Sequence, residues 1–255
     1  MKSINTLITI FAMAFFSISS TACDSTAASP NRRFSSEYVI LLHGLCGTSF
    51  SMAKMQRALR NAGYTVWNVG YPSRTALIPK LADDAIGKAI VECRLNGASK
   101  IDFVTHSMGG ILVRSYLARH NVPDLGRVVM LAPPNQGSEV VDELGGLMLF
   151  KWINGPAGNE LGTNKDSLPN QLGPAKFPLG IIAGDRSINW ISSTFFIPGP
   201  DDGRVAVKRA KLAGMADFIV VHAAHPLITR NNKAIEQTIA FLRNGKFNGH
   251  QAGSM

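Results

Sequence analysis

Between residues 38 and 243 the chain alternates short apolar runs of strand character with stretches of helical spacing, and that alternation restricts the fold more than any other feature. "YVILLH" (Tyr38 to His43) reads as a buried strand. "SFSMAKMQRALRNAG" follows with Met52, Met55 and Leu59 on one helical face and Gly63 as its stop signal. "YTVWNV" is a second strand, and "LADDAIGKAIVECRL" a helix turning Leu81, Ala85, Ile86 and Ile90 inward. "IDFVTH", "GRVVMLAPP", "PLGIIAG" and "DFIVVHA" add four strands. "GGILVRSYLARH" lies between the first two of these as a helix, and "LITRNNKAIEQTIAFLRNG" holds a last helix stopped by Gly245. Repeated strand-helix-strand units predict an α/β fold with a mostly parallel central sheet and helices on both faces. In such sheets ligands bind at the carboxyl ends of the strands.

The pattern breaks from Asn135 to Lys176, a Gly- and Pro-rich stretch with one apolar patch, Leu147 to Ile153. A segment this long without strand signals is either a cap or lid, or an excursion packing two short helices on the domain. At the N-terminus "MKSINTLITIFAMAFFSISSTAC" has one Lys, an apolar stretch and then small residues, the pattern of an export signal over residues 1–23. "STAC" also resembles a bacterial lipoprotein box in which Cys23 carries the lipid, although Ser20 stands where an aliphatic residue is usual. Lipid anchoring through Cys23 and plain cleavage both remain open, and the destination is periplasmic, membrane-anchored or secreted. Residues 24–36 read as a tether, 37–245 as the domain, and 246–255 as a flexible tail.

At 255 residues with 45% hydrophobic and 17% charged content, the chain is of a size to bury a substantial core. Its formal net charge of +9 invites a nucleic-acid reading, but the basic residues are scattered and only "KRAK" (Lys208 to Lys211) clusters. No nucleic-acid motif accompanies them, so a solvated basic surface is expected. An exported chain meets oxidising conditions, yet Cys46 and Cys93 are poor partners. Cys46 follows a strand at its carboxyl end, whereas Cys93 ends a helix running back to the opposite edge. About fourteen residues at 1.5 Å rise separate those levels by roughly 20 Å, and a disulfide needs Cα atoms within about 7 Å. Two free thiols are expected.

"IDFVTHSMGGILVRS" places Ser107 where a strand turns at once into a helix. At such a bend the neighbours two positions away must be small, and the helix amides favour negative charge at the same spot. Gly109 and Gly110 satisfy the far side; Thr105 occupies the near side, where some crowding is expected. Ser is also a common helix cap, but strand, small flanks and helix coincide here.

With "LLHGLCGTS" and "HSMGG" together, the chain resembles a bacterial lipase or esterase of the α/β-hydrolase fold over residues 37 to 243. The resemblance implies ester hydrolysis through an acyl-enzyme on Ser107, with a small-molecule or lipid ester as substrate and neither cofactor nor metal. It places oxyanion donors at the Leu45 and Met108 amides, with His43 and Gly44 supporting the loop. In this fold the nucleophile is followed by an acid and then a histidine. His225, past the last strand and before Pro226, suits the base; His222 is expected to pack at the strand end. His106 is expected to point away from its neighbour Ser107, and His120 and His250 to lie far from the cleft. For the acid, Asp202 in "PGPDDGRVAV" resembles the acid loop of bacterial lipases. Asp185 in "IIAGDRS" is the alternative, with an ion pair to Arg186 as its ordinary explanation, and Asp201 comes third. An acyltransferase or amidase on the same residues, or a non-catalytic surface lipoprotein, are the competing functions.

Overall fold

A computed structural model describes residues 36–146, 148–188 and 197–249. The expected export signal, Cys23, the tether up to residue 35 and His250 lie outside the described residues. Six strands form one sheet in the order β2-β1-β3-β4-β5-β6, with every neighbouring pair parallel. They are β1 (Glu37–Leu42), β2 (Thr65–Val69), β3 (Lys100–His106), β4 (Leu125–Leu131), β5 (Leu179–Gly184) and β6 (Asp217–Val221). The order reverses between β1 and β3, the switch point where open α/β sheets leave a crevice. Leu42 stands opposite Thr105 in the register, so the loop leaving β1 lies beside the bend leaving β3.

The central strands β1, β3, β4 and β5 are largely buried on both faces, as the parallel arrangement requires, while Trp67 of edge strand β2 and Val220 of edge strand β6 are exposed. Along β1 the side chains alternate. Tyr38, Ile40 and Leu42 join one cluster with α2 (Ile78–Ala82), α3 (Lys88–Leu95) and α4 (Met108–Leu117). Val39 and Leu41 join the other with α1 (Ala53–Asn61) and α9 (Asn232–Asn244). Met52, Met55 and Leu59 are fully buried, each worth about 2 kcal/mol of apolar transfer.

The helix expected from Leu81 starts earlier, at Ile78, because Pro79 suits a first helical turn. It also carries a π-helical turn, Asp83–Gly87, that links α2 to α3. The last helix is capped at both ends: the Asn231 side chain accepts from Ala234 N–H, and Gly245 takes φ 75°. Residues 246–255 are expected as a flexible tail, but Phe247 is buried against Phe241 and its N–H donates to Asp217 at 2.7 Å. An apolar side chain facing an open core edge explains why the ordered fold reaches past Gly245.

The 135–176 stretch contains α5 (Glu139–Leu144), α6 (Met148–Asn159, broken at Gly155 with φ 66°) and α7 (Leu168–Gln171). A further short helix, α8 (Val207–Ala210), precedes β6. Within the basic cluster Arg209 pairs with Glu139 at 2.8 Å, so not all of it is simply solvated. No disulfide joins Cys46, exposed after β1, to Cys93 in α3, whose thiol is pushed by burial up to about 11. Among the described residues no helix is long and apolar enough to cross a membrane, and no group of three His, Cys, Asp or Glu side chains could hold a metal ion.

Candidate active site

The bend after β3 is a point of backbone strain. Ser107 has φ 53° and ψ −125°, a region that costs a non-glycine residue about 1–3 kcal/mol. Neighbouring strands and the first helical turn hold it there: its N–H donates to Leu131 C=O at 2.9 Å, and its C=O accepts from Gly110 N–H at 3.0 Å. The glycines around it leave no alternative. A Cβ on Gly109 would stand 2.8 Å from Leu42 O, and one on Gly44 2.9 Å from the Ser107 Cβ. On the near side Thr105 is fully buried, and its hydroxyl has no hydrogen-bond partner among the described residues.

Two residues distant in sequence meet this serine. His225 opens a 3₁₀ turn, His225–Arg230, with Pro226 in its first positions. Its Nε2 lies 3.0 Å from Ser107 Oγ, and its Nδ1 lies 2.8 Å from Asp202 Oδ2. Asp202 is buried to 1% exposure and fully engaged: its Oδ1 accepts from the Arg204 and Val205 amides at 3.0 and 2.9 Å. Its own C=O accepts from His225 N–H at 2.9 Å, so acid and imidazole are tied through main chain as well as side chain. Space for Asp202 comes from Gly184, where a Cβ would come within 3.0 Å of the Asp202 Cβ.

The loop after β1 is fixed from beneath. His43 is buried, stacks on Tyr71 at 4.2 Å, and bonds Gly44 C=O through Nδ1 at 2.9 Å. Its Nε2 accepts from Tyr71 N–H, and the Tyr71 hydroxyl donates back to His43 C=O at 2.6 Å. Burial lowers the His43 pKa, which keeps the ring neutral and suited to that donor-acceptor pattern. Gly47 N–H closes a turn on Gly44 C=O at 3.1 Å. Among the described residues neither the Leu45 nor the Met108 amide has a protein acceptor, which leaves two donors beside Ser107 uncommitted.

The other candidates fall elsewhere. Asp185 leaves β5 toward solvent and bonds His222 Nδ1 at 2.9 Å, not the adjacent Arg186. His222 is therefore not packed at its strand end, because alternation turns it outward. Asp201 caps its own turn, accepting from Gly203 N–H at 2.6 Å. His120 bonds Asp83 on the outer helices at 2.9 Å. His106 has a contact that the sequence did not suggest. Its ring lies 4.9 Å from that of His225, and its Nε2–H donates to His225 C=O at 3.0 Å.

A family model described as the alpha/beta hydrolase fold matches residues 37–169. The chain belongs to the α/β-hydrolase fold family. Asp202 and His225 lie beyond the matched stretch, so tertiary structure alone brings them to Ser107. Similar solved structures include the mature Bacillus licheniformis lipase BlEst2, 20% identical over 80% of this chain and 91% of that one, with a TM-score of 0.66. The metagenomic carboxyl esterase MGS0156 is 18% identical over 76% of this chain and 65% of that one, TM-score 0.60. Phospholipase PlaB from Legionella pneumophila is 18% identical over 69% and 45%, TM-score 0.55. A comparison with curated proteins finds no match.

Over the hydrolase-fold site lies a cavity of about 280 Å³, with Ser107, His225 and Leu45 in its floor. Val140, Val141 and Leu144 of α5, with Leu161, form an apolar wall supplied by the insertion. A residue that sequence reading passed over anchors this insertion. Arg114 of α4 is buried and donates to the carbonyls of Asn135, Pro169 and Gly173 at 2.8–2.9 Å, and to Asn135 Oδ1 at 3.2 Å. Nothing local marks it, since its acceptors, mostly backbone carbonyls, lie more than twenty positions away.

Proposed function

We propose that the chain is a serine ester hydrolase of the lipase or carboxylesterase type, acting through an acyl-enzyme on Ser107. The observation that carries this reading is the Ser107–His225–Asp202 relay of 3.0 and 2.8 Å hydrogen bonds at a strained strand-to-helix bend. Ser107 Oγ attacks the ester carbonyl as His225 Nε2 takes its proton. Asp202 fixes the imidazole with Nδ1–H toward itself and stabilises the imidazolium. The Leu45 and Met108 amides receive the developing oxyanion. Collapse breaks the ester C–O bond, and His225 returns the proton to the leaving alcohol. His225 then takes a proton from water, whose oxygen attacks the acyl carbonyl; Ser107 regains its proton and the carboxylic acid leaves. No step needs a metal or a cofactor.

The apolar wall from the insertion favours lipid-type acyl groups over small polar ones. Export, with or without a lipid on Cys23, belongs to the same reading and rests on the pattern of residues 1–23. A panel of nitrophenyl esters of rising acyl length, with Ser107→Ala as control, tests it. Turnover by the natural chain, lost in the variant, is expected. Equal rates for both would end the reading, and transfer of the acyl group to an added alcohol in preference to water would move it to the acyltransferases.

A further inference from the structure

Among the described residues lining the cavity above Ser107, one is charged, Arg204. Its backbone is fixed on both sides. The N–H donates to Asp202 Oδ1 at 3.0 Å, and the C=O accepts from Ser138 Oγ at 2.7 Å. Its side chain is exposed, and among the described residues its guanidinium has no acceptor. Acids on the segments that meet it have other partners: Asp202 with His225, Glu139 through Oε1 with Arg209, and Asp142 with Thr163. Among the described residues the cavity therefore combines an apolar wall, a reactive hydroxyl and one uncompensated cation, with no Asp or Glu in its lining. Burial chiefly holds the His106 pKa well below its ordinary value, and the charges of His225 and then Arg204 lower it further.

We propose that Arg204 is a specificity-determining residue, and that the preferred substrate is an ester carrying a phosphate or carboxylate on its alcohol or acyl part. This rests on the ester-hydrolase reading of Ser107. A guanidinium presents a planar fork of donors that matches both anions. In a cleft of low-dielectric walls an uncompensated cation raises the local concentration of anionic substrates. The hydrocarbon lies along Val140, Val141, Leu144 and Leu161 while the anion meets the fork at the rim. What separates Arg204 from the other surface cations is its place in this wall, two residues after Asp202, with no acid paired to its side chain among the described residues.

The test compares kcat/KM at low ionic strength within two matched pairs. Nitrophenyl valerate against nitrophenyl hemiglutarate differs by an anion on the acyl side. Monooctanoylglycerol against octanoyl lysophosphatidate differs by an anion on the alcohol side. The anionic member of at least one pair should be preferred about three- to tenfold, mainly through KM, as expected for one charge-assisted contact in partial solvent. The pair that shows the preference identifies which part of the substrate carries the charge. Arg204→Gln should bring the ratio close to one, Arg204→Lys should keep part of it, and about 0.5 M salt should shrink it. Because each ratio is taken within one protein, a general loss of activity cancels. Equal or neutral-favouring ratios in both pairs, or a ratio unchanged in Arg204→Gln, would overturn the proposal while leaving the ester-hydrolase reading intact. Absence of turnover above Ser107→Ala for all four esters would remove both.

Discussion

His106 Nε2–H donates to the backbone carbonyl of His225 at 3.0 Å, so the residue before Ser107 holds the loop that carries the imidazole facing it. The bond closes a short circuit: β3 presents the serine, and the neighbour of that serine fixes the distance to its partner.

Replacing His106 by Phe keeps ring volume and removes the donor. A lost hydrogen bond of about 1 kcal/mol corresponds to a fall of roughly five- to tenfold in kcat. KM should change little, and His106→Gln, which offers an amide N–H, should recover part of the loss. Steady-state kinetics on a soluble ester checks both. A Phe variant whose KM alone changed would show that His106 does not position the loop.

Asp202→Asn retains an oxygen for the Arg204 and Val205 amides but turns an NH₂ toward His225 Nδ1, which favours the wrong tautomer. Turnover should fall about 10³- to 10⁴-fold with little change in thermal midpoint. Asp185→Asn, which breaks only an exposed pair with His222, should stay within about twofold. The reverse ranking would transfer the acid's role to Asp185.

Arg114→Met should destabilise the fold by about 3 kcal/mol in urea titrations, because several buried carbonyls lose their donor together. Burial already pulls the Arg114 pKa down to about 10, a sign of how dry the site is. Arg114→Lys should rescue little, since an ammonium lacks the planar fork that spans three segments. Limited proteolysis within 135–176 should accelerate in both variants.

Stability should decline as pH falls below about 6.5. His43 and His106 are both held below the ordinary value of 6.5, chiefly by burial. Below that value the unfolded chain binds protons that the folded chain does not, so acid favours unfolding; above it both states are neutral and the term vanishes. Each ring contributes up to about 1.4 kcal/mol per pH unit within its window. Denaturant midpoints between pH 7.5 and about 5 should fall with that sign, and less steeply in His106→Gln.

Local pattern alone was enough to read the parallel α/β architecture. Strand runs such as "YVILLH" and "IDFVTH", with helices of 3.6 periodicity between them, carry their burial in nearest-neighbour spacing. The bend at Ser107 was equally legible, because strand, hydroxyl, glycines and helix lie within a dozen consecutive positions. His225 came from chain order and its place before Pro226, and Asp202 from the likeness of its loop to known acid loops.

Three things needed the folded chain. Whether Asp185 or Asp202 meets the imidazole depends on how the loops after β5 and β6 cross, with Gly184 making room for the second. His106, expected only to point apart from Ser107, supports a residue 119 positions later. Arg114 looks like an ordinary helix cation until the 135–176 segment folds over it. Secondary structure and the bend are written in contacts a few residues long, which sequence spacing records directly. The partners of His106, Asp202 and Arg114 are fixed by where separate segments come to rest in space, and no spacing along the chain encodes that.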